Sequence, residues 1–165
     1  MSNINIVLIE PQIHANTGNI ARTCAVTGAA LHLVKPLGFS IDDRHLKRAG
    51  LDYWNMLDIT VYENAEEFFE KNEGEEMFFF SAKGERSFSE TVYPERVFII
   101  FGKEDTGLPV ELLKRHHDRC VRIPMRKGAR CLNLSNSAAI AVYEILRQRD
   151  YKGLESESGY DFGLD

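Results

Sequence analysis

Six short apolar runs, spaced along the chain, constrain the fold more than any other feature of the sequence. Most of them are continuously apolar rather than alternating, which is typical of strands covered on both faces. Five segments with helical patterns lie between and after them, near 18–28, 42–50, 65–72, 109–117 and 135–149. This alternation predicts an α/β fold, with an open, mostly parallel sheet and helices on both faces. The runs are INIVLI (4–9), LHLV (31–34), ITVYE (59–63), MFFFSA (77–82), RVFIIFG (96–102) and RCVRIP (119–124).

Length and charge bound the organisation of the chain. With 165 residues, we expect one domain over 1–150, followed by an acidic and flexible tail over 151–165. The 20 basic and 25 acidic residues give a net charge of −5, which is unusual for a protein that binds nucleic acid. No apolar run is long enough to span a bilayer, and no secretory signal is recognisable. The three cysteines are widely spaced and form no CxxC pair, so we expect a cytoplasmic protein without a structural zinc site.

The stretch NTGNIARTC, residues 16–24, follows the first apolar run directly. On a helix that starts near Gly18, Asn19 and Arg22 share one face, away from an apolar stripe. Open α/β sheets place ligands at this carboxyl end of their strands. The simpler interpretation is that Asn16 is an N-cap and Arg22 an ordinary surface arginine.

Two later stretches have the same character. FIIFGKEDTGLP (98–109) leads from a strand into a turn that contains Gly102 and Glu104, and RIPMRKGARCLNLSNSAA (122–139) leads from a strand through a basic loop into a helix. Glycine allows a backbone to approach a ligand closely, and Ser135 or Asn136 is a plausible N-cap. For the first stretch, a dinucleotide site is a weak alternative, because only Gly18 of the G-x-G-x-x-G fingerprint is present.

Taken in order, N-x-G-N-x-x-R, F-G-x-E-x-x-G-L and I-P-M…L-N-L-S-N-S-A resemble the three motifs of the SPOUT class of RNA 2′-O-methyltransferases. KRAGLDYW (47–54) is similar to a segment of the YibK-type subgroup, and the resemblance covers residues 4–150. It implies S-adenosylmethionine as cofactor, S-adenosylhomocysteine as product and no metal. It implies as substrate the wobble nucleotide, cytidine or modified uridine, in the anticodon of leucine tRNAs. It also implies a C-terminal trefoil knot and a homodimer with the last helix at the interface.

The resemblance also assigns site residues. The catalytic set is Asn16, Arg22, Glu104 and Asn133. The cofactor is expected to contact Phe80, Gly102, Ile123, Cys131 and Leu132, mostly through main-chain groups. Cys131 stands where many relatives carry serine.

The family assigns the counterpart of Arg22 to activation of the ribose 2′-hydroxyl. A guanidinium is always protonated in proteins and is not a base as it stands. Two roles therefore stay open for Arg22: it holds a phosphate and the 2′-oxygen, or it is deprotonated in a shielded site. Glu104 is its expected partner.

Two basic clusters are the candidates for binding RNA: Arg44, Lys47 and Arg48, and Arg126, Lys127 and Arg130. Trp54 and Tyr53 are candidates for stacking on a base, although core packing is the favoured explanation for them. Two alternatives stay open for the whole chain: methylation of another tRNA or rRNA position, and a non-catalytic RNA-binding module of the same fold.

Overall fold

The computed structural model describes residues 3–41, 57–155 and 157–159 of the chain. The first basic cluster (Arg44, Lys47 and Arg48), the predicted helix over 42–50 and the aromatic pair Tyr53 and Trp54 lie outside the described residues. The flexibility predicted for the tail stays a prediction. Its first residues form turns after the last helix, and Leu154 packs partly against the core.

Seven strands and four helices make up the described fold. The strands are β1 (Ile4–Ile9), β2 (Ala30–Val34), β3 (Ile59–Tyr62), β4 (Met77–Phe80), β5 (Arg86–Ser87), β6 (Val97–Phe101) and β7 (Cys120–Arg122). The helices are α1 (His14–Thr27), α2 (Ala65–Lys71), α3 (Val110–Arg115) and α4 (Leu134–Gln148). All six predicted strands are present. Strand β5 was missed because its two polar residues carry no apolar pattern and are held only by pairing with β7.

The sheet has the order β3-β2-β1-β6-β4-β7-β5, and every neighbouring pair of strands is parallel. The carboxyl ends of all seven strands therefore lie at one edge. None of the helices within the described residues is long and apolar enough to cross a membrane.

Helices cover both faces of the sheet, as predicted. Alternate strand residues such as Ile6 and Ile99 form one core with α1 and α4. Their neighbours, among them Val7 and Phe98, form a second core with α2 and α3 on the opposite face. The small apolar face of α4, formed by Ala138, Ala141, Val142 and Ile145, is fully buried in the first core. This face therefore packs within the chain itself.

The connection between β4 and β5 crosses the strand β7, which lies between them in the sheet. The backbone N–H of Ser81 donates to the carbonyl of Val121 at 2.9 Å. A Cβ atom placed on Gly84 would lie 2.7 Å from the backbone of Val121, so that only glycine fits at this crossing. The trefoil knot stays a prediction, which this crossing supports.

A buried polar cluster lies in the second core. His32 is buried on β2, with Nδ1 lying 3.0 Å from the Tyr62 hydroxyl and Nε2 3.2 Å from Oδ1 of Asn5. Asn5 in turn donates from Nδ2 to the carbonyl of Val97. Burial lowers the pKa of His32 to about 4, because the charged imidazolium is poorly solvated there. The histidine is thus neutral at physiological pH.

Candidate active site at the carboxyl edge of the sheet

Three polar residues from the three sequence motifs meet at the carboxyl edge of the sheet. Asn16 lies in the first turn of α1, Glu104 in the turn after β6, and Asn133 directly before α4. Since β1, β6 and β7 are parallel, the segments that follow them begin at the same edge. The structure thus brings together residues that are up to 117 positions apart in sequence.

Glu104 binds the start of α1 through both carboxylate oxygens. Its Oε2 accepts from the backbone N–H of Gln12 at 2.8 Å, and its Oε1 accepts from the backbone N–H of Ile13 at 3.1 Å. Oε1 also accepts from Nδ2 of Asn16 at 3.1 Å. Three N–H groups thus converge on this carboxylate at the start of α1, at the end of the helix that attracts negative charge.

Asn16 and Asn133 continue this chain of hydrogen bonds to α4. Nδ2 of Asn133 donates to Oδ1 of Asn16 at 2.9 Å. Oδ1 of Asn133 accepts from the backbone N–H of Ser135 at 2.8 Å, from the Ser135 hydroxyl at 2.7 Å and from the backbone N–H of Asn136 at 3.3 Å. We call Glu104, Asn16 and Asn133 the amide chain.

The ends of the amide chain determine how both amide groups are oriented. An ionised carboxylate only accepts hydrogen bonds, and a helix N-terminal N–H only donates them. Asn16 must therefore turn its NH₂ group to Glu104 and its oxygen to Asn133. Asn133 must turn its oxygen to α4. The amide chain thus has a single direction in which every member is satisfied.

Two sequence interpretations of the helix starts are wrong. Asn16 is not an N-cap, because α1 begins at His14, four residues before the predicted start near Gly18, with Ile13 at the capping position. Asn133, rather than Ser135 or Asn136, caps α4. The start of α1 depends on a tertiary contact, since the carboxylate of Glu104 that holds it comes from the turn after β6.

Arg22 is exposed on α1. It follows Asn16 by six residues, which corresponds to about 9 Å along the helix axis and a different face. The pairing of Arg22 with Glu104 stays a prediction. The hydrogen bonds that the structure records for the carboxylate are those to Gln12, Ile13 and Asn16.

The residues expected to contact the cofactor lie at the ends of β4, β6 and β7 and in the last loop. Phe80 ends β4, and its ring is buried against the ring of Phe101, with a centroid distance of 4.9 Å. Only its main chain is therefore available to a ligand. Ile123 is partly buried at the end of β7, whereas Cys131 and Leu132 are exposed, the latter by 40%.

Gly102 packs against its own turn, and its predicted main-chain contact with the cofactor stays a prediction. A Cβ atom at this position would lie 2.2 Å from the carbonyl carbon of Gly107 and 2.3 Å from the nitrogen of Leu108. The segment that approaches Gly102 closely is therefore the chain's own backbone at Gly107 and Leu108. The turn is closed by a hydrogen bond from the Gly107 N–H to the Lys103 carbonyl at 2.9 Å, with Gly107 at a φ of 70°. The turn that carries Glu104 is thus packed directly on the end of β6.

The second basic cluster, Arg126, Lys127 and Arg130, is exposed in the loop between β7 and α4. This loop also contains Cys131 and Leu132. Within the described ranges, no group of His, Cys, Asp and Glu side chains is arranged to hold a metal ion. His116, His117 and Asp118 follow one another in the sequence. The ring of His116 stacks on the ring of Phe79 with a centroid distance of 4.6 Å, and burial lowers the pKa of His116.

The backbone N–H groups of Gln12 and Ile13 were not predicted as partners of Glu104. No local pattern signals them, because the contact joins segments about 90 residues apart. The cap role of Asn133 was recognisable in principle, since Asn is a preferred N-cap residue.

Two relatives of this chain are named for the same activity. A tRNA (cytidine(34)-2′-O)-methyltransferase of Methylovorus glucosotrophus is 47% identical over 150 residues, which are 90% of this chain and 97% of the relative. The protein of the same name in Saccharophagus degradans is 44% identical over 150 residues, with the same coverage of both chains.

Solved structures have the same fold. One, from work on the 2-OH methylation of C/U34 on tRNA, has a TM-score of 0.86 and 41% identity, and the match covers 90% of this chain and 97% of that one. The AdoMet-bound rRNA methyltransferase of Sinorhizobium meliloti has a TM-score of 0.78 and 26% identity, with 88% of this chain and 56% of that one covered. The sequence model of the SpoU rRNA Methylase family matches residues 3–143. The resemblance to SPOUT methyltransferases is thereby confirmed, and the chain belongs to the SpoU methylase family.

Proposed function

We propose that this protein transfers a methyl group from S-adenosylmethionine to the 2′-hydroxyl of nucleotide 34, the wobble position, of leucine tRNAs. The relatives named above act on cytidine 34 of tRNA, and they align with nearly the whole chain. The observation that carries the proposal is the amide chain, which unites all three sequence motifs at the edge of the sheet where α/β proteins bind ligands.

The residues at this edge are compatible with S-adenosylmethionine. The ends of β4, β6 and β7 offer main-chain groups, and the exposed Leu132 and Cys131 offer an apolar wall for an adenine ring or a methionine chain. The cofactor supplies a methyl group activated by a sulfonium centre. The protein then has to hold the ribose 2′-oxygen in line with that methyl group, and positioning of this kind supplies much of an enzymatic acceleration.

Among the four proposed catalytic residues, the amide chain would have a positioning role. Glu104 holds the start of α1 against the turn after β6, and Asn133 holds α4 against Asn16. Arg22 is the residue we assign to the RNA substrate. A guanidinium presents several N–H donors in one plane, so it can bind a phosphate and the 2′-oxygen together.

The proposal includes a homodimer in the cytoplasm. The buried face of α4 is not available for such an interface, but Ile140 and Tyr143 on the same helix are 38% and 46% exposed, and Val26 on α1 is 54% exposed. Because α1 and α4 are neighbours on one face of the sheet, these side chains are the apolar candidates for a contact between two copies. Tyr143→Glu is expected to yield monomers in light scattering, and a monodisperse dimer would contradict this assignment.

The first test uses methyl-labelled S-adenosylmethionine with tRNA that lacks wobble methylation. Nuclease digestion then locates the label, because a 2′-O-methyl group blocks cleavage at its own phosphodiester. Label at nucleotide 34 of leucine tRNA is expected. Label at another position of tRNA or rRNA would keep the chemistry and refute the substrate. Cofactor binding without any transfer would favour a non-catalytic RNA-binding module.

Arg22→Ala tests the assigned role of the arginine. It is expected to abolish methyl transfer while S-adenosylhomocysteine still raises the melting temperature, because ligand binding stabilises the folded state in proportion to occupancy. Arg115→Ala, an exposed arginine at the end of α3, is the matched control. Loss of cofactor binding in Arg22→Ala would show a structural role instead.

A further inference from the structure

The described lysines and arginines differ in whether they form an ion pair with a carboxylate. Seven described lysines and arginines form ion pairs with carboxylates within 4.0 Å: Lys35, Lys71, Arg96, Lys103, Lys114, Arg119 and Arg147. Six further cations form no ion pair with a carboxylate among the residues that the structure describes and lie in one region of the fold, whereas Arg115, Arg149 and Lys152, equally without such a pair, lie elsewhere. These six, which we call the basic edge, are Lys83, Arg86, Arg122, Arg126, Lys127 and Arg130.

The basic edge occupies one region of the fold. Arg86 belongs to β5, the last strand of the sheet, and Arg122 to its neighbour β7, with Arg86 opposite Val121 and Ser87 opposite Arg122. Lys83 lies in the connection that crosses β7. The other three members lie in the loop that continues from β7 toward α4. The six cations thus lie along the open side of the sheet and the loop that leads to the candidate active site.

The register places the two strand arginines on opposite faces. Val121 belongs to the core under α1 and α4, and Arg86, directly opposite, is on that same face. Arg122 is the next residue along β7 and therefore is on the other face. Lys83 lines a cavity of about 260 Å³ at the carboxyl edge, together with Thr106 of the turn after β6. Positive charge thus surrounds the open strand on both sides.

A structural explanation accounts for only part of this pattern. Charged residues on a short edge strand prevent it from pairing with strands of other chains. That reason applies to Arg86, but Lys83 and the loop cations are not in a strand. Glu85 and Glu90 are close in sequence to Arg86, and neither forms an ion pair with a member of the basic edge. Unpaired cations that line a path to a site are what a polyanionic ligand requires.

We infer that the basic edge binds the phosphate backbone of the RNA substrate, with Lys83, Arg86 and Arg122 extending the contact made by the loop over 126–130. The inference rests on the proposed function and specifies where the RNA lies. Contacts of this kind position the RNA without reading its sequence, so the basic edge contributes affinity rather than choice of nucleotide.

The test compares the RNA affinity of Lys83→Ala and Arg86→Ala with that of wild type and two controls. Both residues are exposed, which makes misfolding of these variants a small risk. Arg115→Ala removes an exposed arginine at the end of α3, outside the basic edge, and Lys114→Ala removes a cation that is paired with Glu111. Fluorescence anisotropy with labelled, unmethylated tRNA gives the dissociation constant over a range of salt concentrations. A thermal shift with S-adenosylhomocysteine confirms that each variant is folded.

Each basic-edge variant is expected to bind RNA several-fold more weakly, and the slope of log K against log salt is expected to fall by about one for each phosphate contact removed. Both controls should keep the wild-type slope. Wild-type slopes in Lys83→Ala and Arg86→Ala, or an equal loss in Arg115→Ala, would overturn the inference and leave the proposed function standing. If the wild-type protein binds S-adenosylhomocysteine but no RNA, the proposed function fails and the inference fails with it. An altered oligomeric state with unchanged RNA affinity would assign the surface to a protein partner and also overturn the inference.

Discussion

Asn133→Ala and Asn133→Asp are expected to destabilise the protein by different amounts, because Asn133 makes two kinds of hydrogen bond. Its oxygen caps α4 by accepting from the N–H groups of Ser135 and Asn136, and its NH₂ group donates to Asn16 at 2.9 Å. Alanine removes both functions. Aspartate keeps the cap, since its carboxylate accepts the same N–H groups, but it has no hydrogen to donate to Asn16.

The magnitudes follow from these contacts. Loss of an N-cap costs about 1 kcal/mol, and loss of a net intramolecular hydrogen bond costs about 1 kcal/mol. Asn133→Ala is therefore expected to lower the free energy of unfolding by about 2 kcal/mol. In Asn133→Asp the lost bond to Asn16 is partly offset by the favourable interaction of a carboxylate with the helix N-terminus, about 0.5 kcal/mol. Rotation of the Asn16 amide gives no relief, because its oxygen would then face Glu104. The expected loss is about 0.5–1 kcal/mol.

Urea unfolding followed by circular dichroism measures both values, and methyl transfer to tRNA is measured on the same samples. If the amide chain positions the site, Asn133→Asp should reduce methyl transfer at least tenfold although its stability is close to that of wild type. Equal destabilisation by the two substitutions would refute the division of Asn133 into a cap and a donor. Wild-type activity in Asn133→Asp would refute the positioning role of the amide chain.

Three further predictions test other parts of the structure. Asn16→Asp places a second carboxylate beside Glu104 and should destabilise the protein by about 2–3 kcal/mol in urea unfolding. Adding Glu104→Gln restores a hydrogen-bond donor between the two side chains and should recover at least half of this loss. Strictly additive effects of the two substitutions would contradict the amide chain. Gly102→Ala introduces a Cβ atom 2.2 Å from the backbone of Gly107 and should displace the turn at a cost of about 1–3 kcal/mol. The variant should also lose the rise in melting temperature that S-adenosylhomocysteine causes. An unchanged rise would show that the turn is not part of the cofactor site. Because the pKa of His32 is near 6.5 when unfolded and about 4 when folded, the unfolded state binds the proton first as the pH falls, and stability is lost between these values. Between pH 7 and 5 the wild type should lose about 2 kcal/mol more than His32→Gln, and equal losses would contradict a neutral, buried His32.

The architecture was largely predictable from the sequence. The six apolar runs form strands of a parallel sheet. Strands such as INIVLI and VFIIF are buried on both faces of this sheet, and a continuous run of apolar residues is typical of such strands. Strand β5 was not predictable, since Arg86 and Ser87 pair only with a strand that comes more than 30 residues later. The start of α1 was misplaced for a similar reason, because Glu104 holds it from the turn after the neighbouring strand β6, which is distant only in sequence.

The layering of the fold, the family and the residues that carry the three motifs were all predictable from the sequence, because apolar patterns and ordered motifs are local properties of a chain. Which of those residues touch depends on the tertiary structure. It joined Glu104, Asn16 and Asn133 in one directed chain, it filled the space beside Gly102 with the chain's own backbone, and it left Arg22 exposed on another face of α1. The physical reason is that these contacts join segments about 90 to 117 residues apart. Their geometry depends on the order and direction of the strands, and no local pattern of residues encodes that order.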